Sequence, residues 1–230
     1  MSKLKKFFCF LQFLPWTLYF NFHYLPFKEA IHLPILLYKP KLLNCNGLVK
    51  ILGGVKFGMI RLGFMQASIY PNNGITWENR GTVIFNGKAI IGNNSAISVG
   101  KSGHLIFGSR FRATSSLKCI CYNKVTFESD VLIGWDCTIS DTDFHTLQHN
   151  GSATRGFGEI NIGHNTWIAM QSLILKGSKT PPYTIIAART LLNKDFTCEK
   201  EKILLSGQPA KVICRNIYHD CNNDSIDYNS

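Results

Sequence analysis

The sequence predicts an all-β fold, a parallel β-helix of hexapeptide repeats, and three observations carry that prediction. An aliphatic residue returns at six-residue spacing through Ile162, Ile168, Ile174, Ile186 and Leu192, with Thr180 the one polar member of the series. The same spacing runs through Phe85, Ile91 and Ile97, and again through Phe127, Ile133 and Ile139. A small residue follows several of these positions, as in Ile162-Gly163, Ile168-Ala169 and Ile133-Gly134. Six matches neither the period of two of a flat strand nor the 3.6 of a helix. It is the length of one flat side of a coil, whose inward residue stacks on its equivalent one coil away.

Residues 1–47 form a segment of different character. Lys3, Lys5 and Lys6 precede a run of aromatic and aliphatic residues from Phe7 to Phe22, and seven of the 16 phenylalanines fall before residue 28. Gln12, Pro15 and Asn21 interrupt this run before it reaches the ~20 apolar residues of a spanning helix. No small-residue cleavage site follows, so it does not read as a signal peptide. A Lys-flanked aromatic segment suits peripheral contact with a membrane interface. It equally suits a cover over the end of the coil or over a neighbouring subunit, and the residues alone leave both open. Pro26, Pro34 and Pro40 amid apolar residues predict a short helix and an extended lead-in.

The β-helix domain is expected to span 48–213. Its middle stretch lacks aliphatics at the common phase (Gly103, Ser109, Ser115, Cys121), which points to a local frame shift repaired around Tyr122 to Lys124. From Ile139 to Ile162 the phase is lost, so residues 141–159 are predicted to leave the coil as an extruded loop. Such loops on a rigid repeat scaffold are where function concentrates. Gln208 to Tyr218 is read as a short C-terminal helix, and 214–230 as a polar tail.

Composition narrows the function classes. Hydrophobic residues make up 45% of the 230 and charged ones 17%, too apolar for disorder. The eight cysteines include no C-x-x-C pair, which favours reduced thiols in a cytoplasmic compartment, and Cys119 and Cys137 fall within the repeats as small buried groups. A net charge of +11 implies anionic partners. Nucleic acid is not expected among them, because no dense Lys/Arg run or recognisable binding motif is present.

Asp141-Thr142-Asp143-Phe144-His145 follows the last regular hexad of its run. A histidine beside carboxylates is how a general base is assembled, and in extended chain Asp143 and His145 would share one side. His145, Asp143 and Asp141 are therefore the candidate catalytic residues. A zinc site from His145, His149 and His164 is the competing reading. Gln148-His149-Asn150-Gly151 reads as a plain turn, however, and His164 follows Gly163 at a corner, so no metal is expected.

From Ile160 to Ile213 the sequence resembles the hexapeptide-repeat acyltransferase family, specifically the bacterial sugar O-acetyltransferases of capsule, lipopolysaccharide O-antigen and exopolysaccharide. Thr166-Trp167-Ile168-Ala169, Ile174-Leu175-Lys176-Gly177, Ile185-Ile186-Ala187-Ala188, Asn193-Lys194-Asp195 and Gly207-Gln208-Pro209-Ala210-Lys211-Val212-Ile213 carry the likeness. The resemblance implies a left-handed coil, a homotrimer and acetyl-CoA as co-substrate in a groove between neighbouring coils. It implies a catalytic role for His145, with Asp141 and Asp143 at the acidic positions before it. Trp167, Ala169, Gly177, Ala187, Lys194 and Lys211 take the implied cofactor-binding positions, with the Ala169 amide facing the thioester or pantetheine and the two lysines near the CoA phosphates. Pro181-Pro182 and Ala187 depart from the family's usual hexad and glycine.

The expected function is acetyl-CoA-dependent O-acetylation of a bacterial surface polysaccharide or its precursor, by direct transfer in a ternary complex. The acceptor is a glycan or sugar nucleotide, and the expected location is cytoplasmic or peripheral at the inner face of the cytoplasmic membrane. N-acetylation of an amino sugar nucleotide and a non-catalytic scaffold are the alternatives.

Overall fold

The computed structural model describes residues 3–220, and it is a left-handed parallel β-helix of triangular section. Successive strands fall in turn on three sheets. The first begins with Ile35–Leu37, the second with Pro40–Asn44 and the third with Leu48–Ile51; each of the first five coils adds one parallel strand to each, and beyond them the third face continues as isolated bridges at Lys179 and Asp195. The coil thus starts at Ile35, earlier than the expected boundary at 48. Pro34 sets extended backbone directly before it.

Each face contributes one inward column. Leu37, Leu62, Ile91, Ala113, Ile133, Ile168, Ile186 and Leu205 stack in register on the first sheet. Trp77, Ile97, Cys119, Ile139, Ile174 and Leu192 stack on the second. On the third, Phe85, Phe107 and Phe127 lie ring on ring with centroids 5.1 and 5.7 Å apart, followed by Ile162. Thr180 continues that column because its buried Oγ1 accepts the Gly163 amide at 3.0 Å. The corners after the first and third sheets are turned by left-handed residues such as Asn94, Asp136, Gln171, Asp130 and Asn165. The small residue after the inward position serves a different need: a Cβ on Gly163 would approach the Pro181 carbonyl carbon to 2.7 Å.

Both ends of the coil are closed. Helix α1 (Lys3–Tyr24) lies across the first coil, where Asn21 Nδ2 donates to the Ile35 carbonyl at 2.7 Å and Asn21 Oδ1 accepts its amide at 3.1 Å. Thr17 Oγ1 accepts the Leu37 amide, so two side chains pair with the edge strand as another strand would. Phe20 packs edge-on against Trp77 beneath them. The aromatic segment therefore covers the end of the coil through one of its faces. A second helix, α2 (Phe27–Ala30), connects it to the coil.

At the other end the structure corrects the sequence reading. Gln208 to Tyr218 is not a helix: Ile203–Gly207 and Ala210–Arg215 form an antiparallel hairpin on the first sheet. Gly207 at φ +107 and Pro209 supply the turn, and Ala210 is buried while Lys211 is exposed, as strand alternation requires. The tail from 221 lies outside the described residues.

Candidate active site

Residues 142–158 form a hairpin extruded at the corner between the second and third sheets. Thr142 pairs antiparallel with Phe157, and Gln148–His149 with Ser152–Ala153. Asn150 and Gly151 both have positive φ, the requirement of a tight two-residue turn. His149 therefore sits at the tip beside Asn150, while His145 lies near the base. His164 is at a different corner, its amide bonded to Glu128, so the three histidines are not brought together.

His145 opens into a cavity of about 220 Å³ whose walls include Tyr122, Phe144, Arg155, Gly156 and Phe157. Gly156 is required by close approach, since a Cβ there would come within 2.4 Å of the His145 carbonyl oxygen. Tyr122 and Phe157 pack at 5.2 Å, and the Arg155 guanidinium covers the Phe157 ring at 4.3 Å. One wall is thus aromatic and cationic.

The two carboxylates before His145 have separate tasks. Asp141 is fully buried, and its oxygens accept the amides of Tyr122, Asn123 and Lys124 at 2.7, 2.7 and 2.8 Å. It holds the corner of the preceding coil. Asp143 pairs with Lys176 Nζ at 2.5 Å, and Lys176 also donates to the Arg155 carbonyl at 3.2 Å, tying both legs of the hairpin to the coil. The extended geometry expected for Asp143 and His145 is broken by Phe144, whose φ is +59.

A second concavity, of about 410 Å³, lies on the first sheet and its corner with the second. Leu132, Gly134, Trp135, Trp167, Ala169 and Met170 line it, an almost wholly apolar surface. Tyr70, on an inserted loop, closes over this corner by donating to Asp136 at 2.5 Å; partial burial and the Asp136 carboxylate push its phenol up to about 12. Ala169 lines the groove, but its amide donates to the Ile186 carbonyl at 2.8 Å and does not face outward. A corner residue continues the sheet ladder, which uses its N–H. The same holds for Ala187, whose amide bonds Leu205.

The predicted residues therefore divide between two corners of the prism. Trp167, Ala169, Ala187 and Lys211 all lie along the first sheet and its edge, with Lys211 exposed opposite Ser206 in the terminal hairpin. His145, Asp143, Gly177 and Lys194 belong to the other corner, where Gly177 lies beside Gly158 at the hairpin base. The second sheet separates the two sets within one chain. Tyr122, Gly156, Phe157, Trp135 and Met170 were not singled out from sequence as site residues. Tyr122 had one signal, since it begins the segment that repairs the frame shift.

Among the described residues the buried cysteines Cys119, Cys121 and Cys137 are packing groups. Burial raises the Cys119 thiol well above its ordinary value, and raises Cys121 to about 12 and Cys137 to about 11, so all three remain protonated packing groups near neutral pH. Among the described residues no group of histidine, cysteine and carboxylate side chains is arranged to hold a metal.

No family model and no curated protein matches the chain. Among solved structures it is similar to the polySia specific acetyltransferase NeuO, with a TM-score of 0.53 and 16% identity over 81% of this chain and 91% of that one. The likeness is one of fold. AntD, an N-acyltransferase from Bacillus cereus solved with dTDP and coenzyme A, overlaps less closely, at a TM-score of 0.41 and 14% identity over 79% and 82%. The polysialic acid O-acetyltransferase OatWY gives 0.36 and 17% over 79% and 88%.

Proposed function

We propose that the chain is an acetyl-CoA-dependent O-acetyltransferase acting on a hydroxyl of a surface polysaccharide or its precursor. The observation that carries this reading is the pairing of an accessible histidine in an aromatic, cationic cavity with an apolar, Trp-lined groove on the next corner of the same coil. The groove suits the uncharged arm of a thioester carrier, and Lys211 lies along the same sheet to meet its phosphates. The fold shared with an acetyltransferase that acts on polySia supports the same assignment.

A sugar hydroxyl is a poor nucleophile and needs a base at the moment of attack. His145, as neutral imidazole, accepts the hydroxyl proton while the oxygen bonds to the thioester carbonyl carbon. The tetrahedral intermediate collapses with cleavage of the C–S bond, and the imidazolium returns the proton to the CoA thiolate. Ester and free CoA are the products, with no covalent enzyme intermediate, and the rate advantage comes from holding both substrates together. Asp143 acts through Lys176 as a positioning residue, keeping the hairpin on the coil.

Base and groove occupy different corners of one chain, so the reading includes a homotrimer. Three parallel coils packed side by side lay the groove corner of one copy against the hairpin corner of the next. His145→Ala is expected to lower acetyl transfer to polysaccharide by roughly 10²–10⁴-fold while leaving acetyl-CoA affinity unchanged. Near-normal turnover of this variant, with ester formation verified by mass spectrometry, would remove His145 from the mechanism.

A further inference from the structure

We propose that the N-terminal end of the coil docks on an anionic lipid surface, through the outer face of α1 and the basic rim of the first coil. The sequence leaves open whether the aromatic segment meets a membrane or covers the coil end or a neighbouring subunit. The structure divides that segment into a face that plugs the coil and a face that remains outside.

Thr17, Phe20 and Asn21 point into the coil end. On the opposite side Trp16, Tyr19 and Phe22 are 46, 49 and 47% exposed, and their spacing of three places them in one stripe. Phe27, 71% exposed, packs against Phe22 at 5.9 Å and extends the stripe onto α2. Leu43, Leu48 and Leu52 in the first coil add exposed apolar surface. Amphipathic aromatic side chains of this kind settle at headgroup depth. Among the described residues no helix is long and apolar enough to cross a membrane, so the contact is an interfacial one.

Charge selects the occupant. Nine of the 25 Lys and Arg residues precede residue 75, against one of the 14 Asp and Glu, which places eight of the eleven net positive charges on the helices and first two coils. Lys28, Lys41 and Lys50 are exposed there, and the sequence adds Lys3, Lys5 and Lys6. A second copy of the chain meeting this end would set like charge against like charge. An anionic bilayer offers both an apolar layer for the aromatic stripe and negative headgroups for the lysines.

The placement has a geometric consequence that rests on the acyltransfer reading. The hairpin carrying His145 leaves the fifth coil, and rungs rise about 4.8 Å each. Docking by the first coil would hold the base roughly 20 Å above the headgroups, within reach of a glycan anchored in that membrane. In a trimer with parallel coils the three ends face one plane, and their binding is multivalent.

The test is co-sedimentation of the full chain with phosphatidylcholine vesicles that contain or lack phosphatidylglycerol, without acetyl-CoA or acceptor. Binding is expected only with the anionic lipid, and it should weaken at least about tenfold between ~0.05 and ~0.5 M salt. The combined variant Lys28→Glu, Lys41→Glu and Lys50→Glu should weaken it by about a hundredfold. Trp16→Ser, Tyr19→Ser and Phe22→Ser together should weaken it by about tenfold or more. These side chains are exposed, so both variants should melt as the parent does. No binding to anionic vesicles at low salt overturns the proposal, as does undiminished binding by either variant. An aromatic variant that binds vesicles normally but forms smaller soluble assemblies would assign the face to another copy. Vesicle binding is read without turnover, so its failure leaves the catalytic reading standing.

Discussion

Between Ile168 and Ile186 the chain uses eighteen residues to rise one rung, while between Leu37 and Leu62 it uses twenty-five. Both stretches carry the same inward column, yet they depend on different things. The sixth coil is three bare hexads whose backbone bonds run to neighbouring rungs on either side. The first coil has a rung on one side only, and α1 supplies the missing partners through Asn21 and Thr17. Repeat proteins share stability between neighbours, so an end needs a cap where an interior rung needs only a buried aliphatic. Insertions follow the same logic. They leave at corners, where added length does not disturb the stacked columns.

The largest expected effect falls on the regular region. Ile168→Asp places an unpaired charge in the first-sheet column and should cost more than about 4 kcal/mol, read as loss of the cooperative melting transition. A soluble variant with parental melting would break the account of that column. At the other end, deleting residues 1–22 should uncover the Ile35–Leu37 edge and the Trp77 face, lowering the melting temperature and causing aggregation in light scattering. A truncated chain that melts normally would show that α1 is an attachment and no part of the core.

A smaller effect tests the corner between these regions. Asp141→Asn removes the charge and turns an N–H group toward amide donors, at a cost of roughly 2–4 kcal/mol in denaturant unfolding. Turnover per folded molecule should keep the parental pH profile, because the carboxylate serves the 122–124 corner. A changed profile with unchanged stability would return Asp141 to the chemistry.

Most of the coil was legible because hydrophobic spacing is local information, and the columns through Ile133, Ile168 and Ile186 lie where the six-residue period puts them. The frame shift was legible too. Four extra residues at 100–103 and two at 122–123 restore the phase between Phe85 and Ile139. The duties of Asp141 and Asp143 were not legible, since their partners lie at 122–124 and at 176 and only the coil brings them close. Spacing also gave no sign that the Ala169 amide would be used within the ladder. The terminal hairpin was misread because alternation from Ala210 to Arg215 is short, although Gly207-Gln208-Pro209 carried turn chemistry.

The central claim is that His145 of one copy works on a thioester held in the Trp167 groove of the next. It is tested most directly by mixing two impaired variants. His145→Ala lacks the base, and Trp167→Ala lacks the groove wall and is slow at low acetyl-CoA. Refolded together in equal amounts, random trimers would pair an intact histidine with an intact tryptophan at about one interface in four. The account predicts that acetyl transfer at low acetyl-CoA recovers to about a quarter of the parental rate. A mixture no more active than its two components measured separately would contradict it.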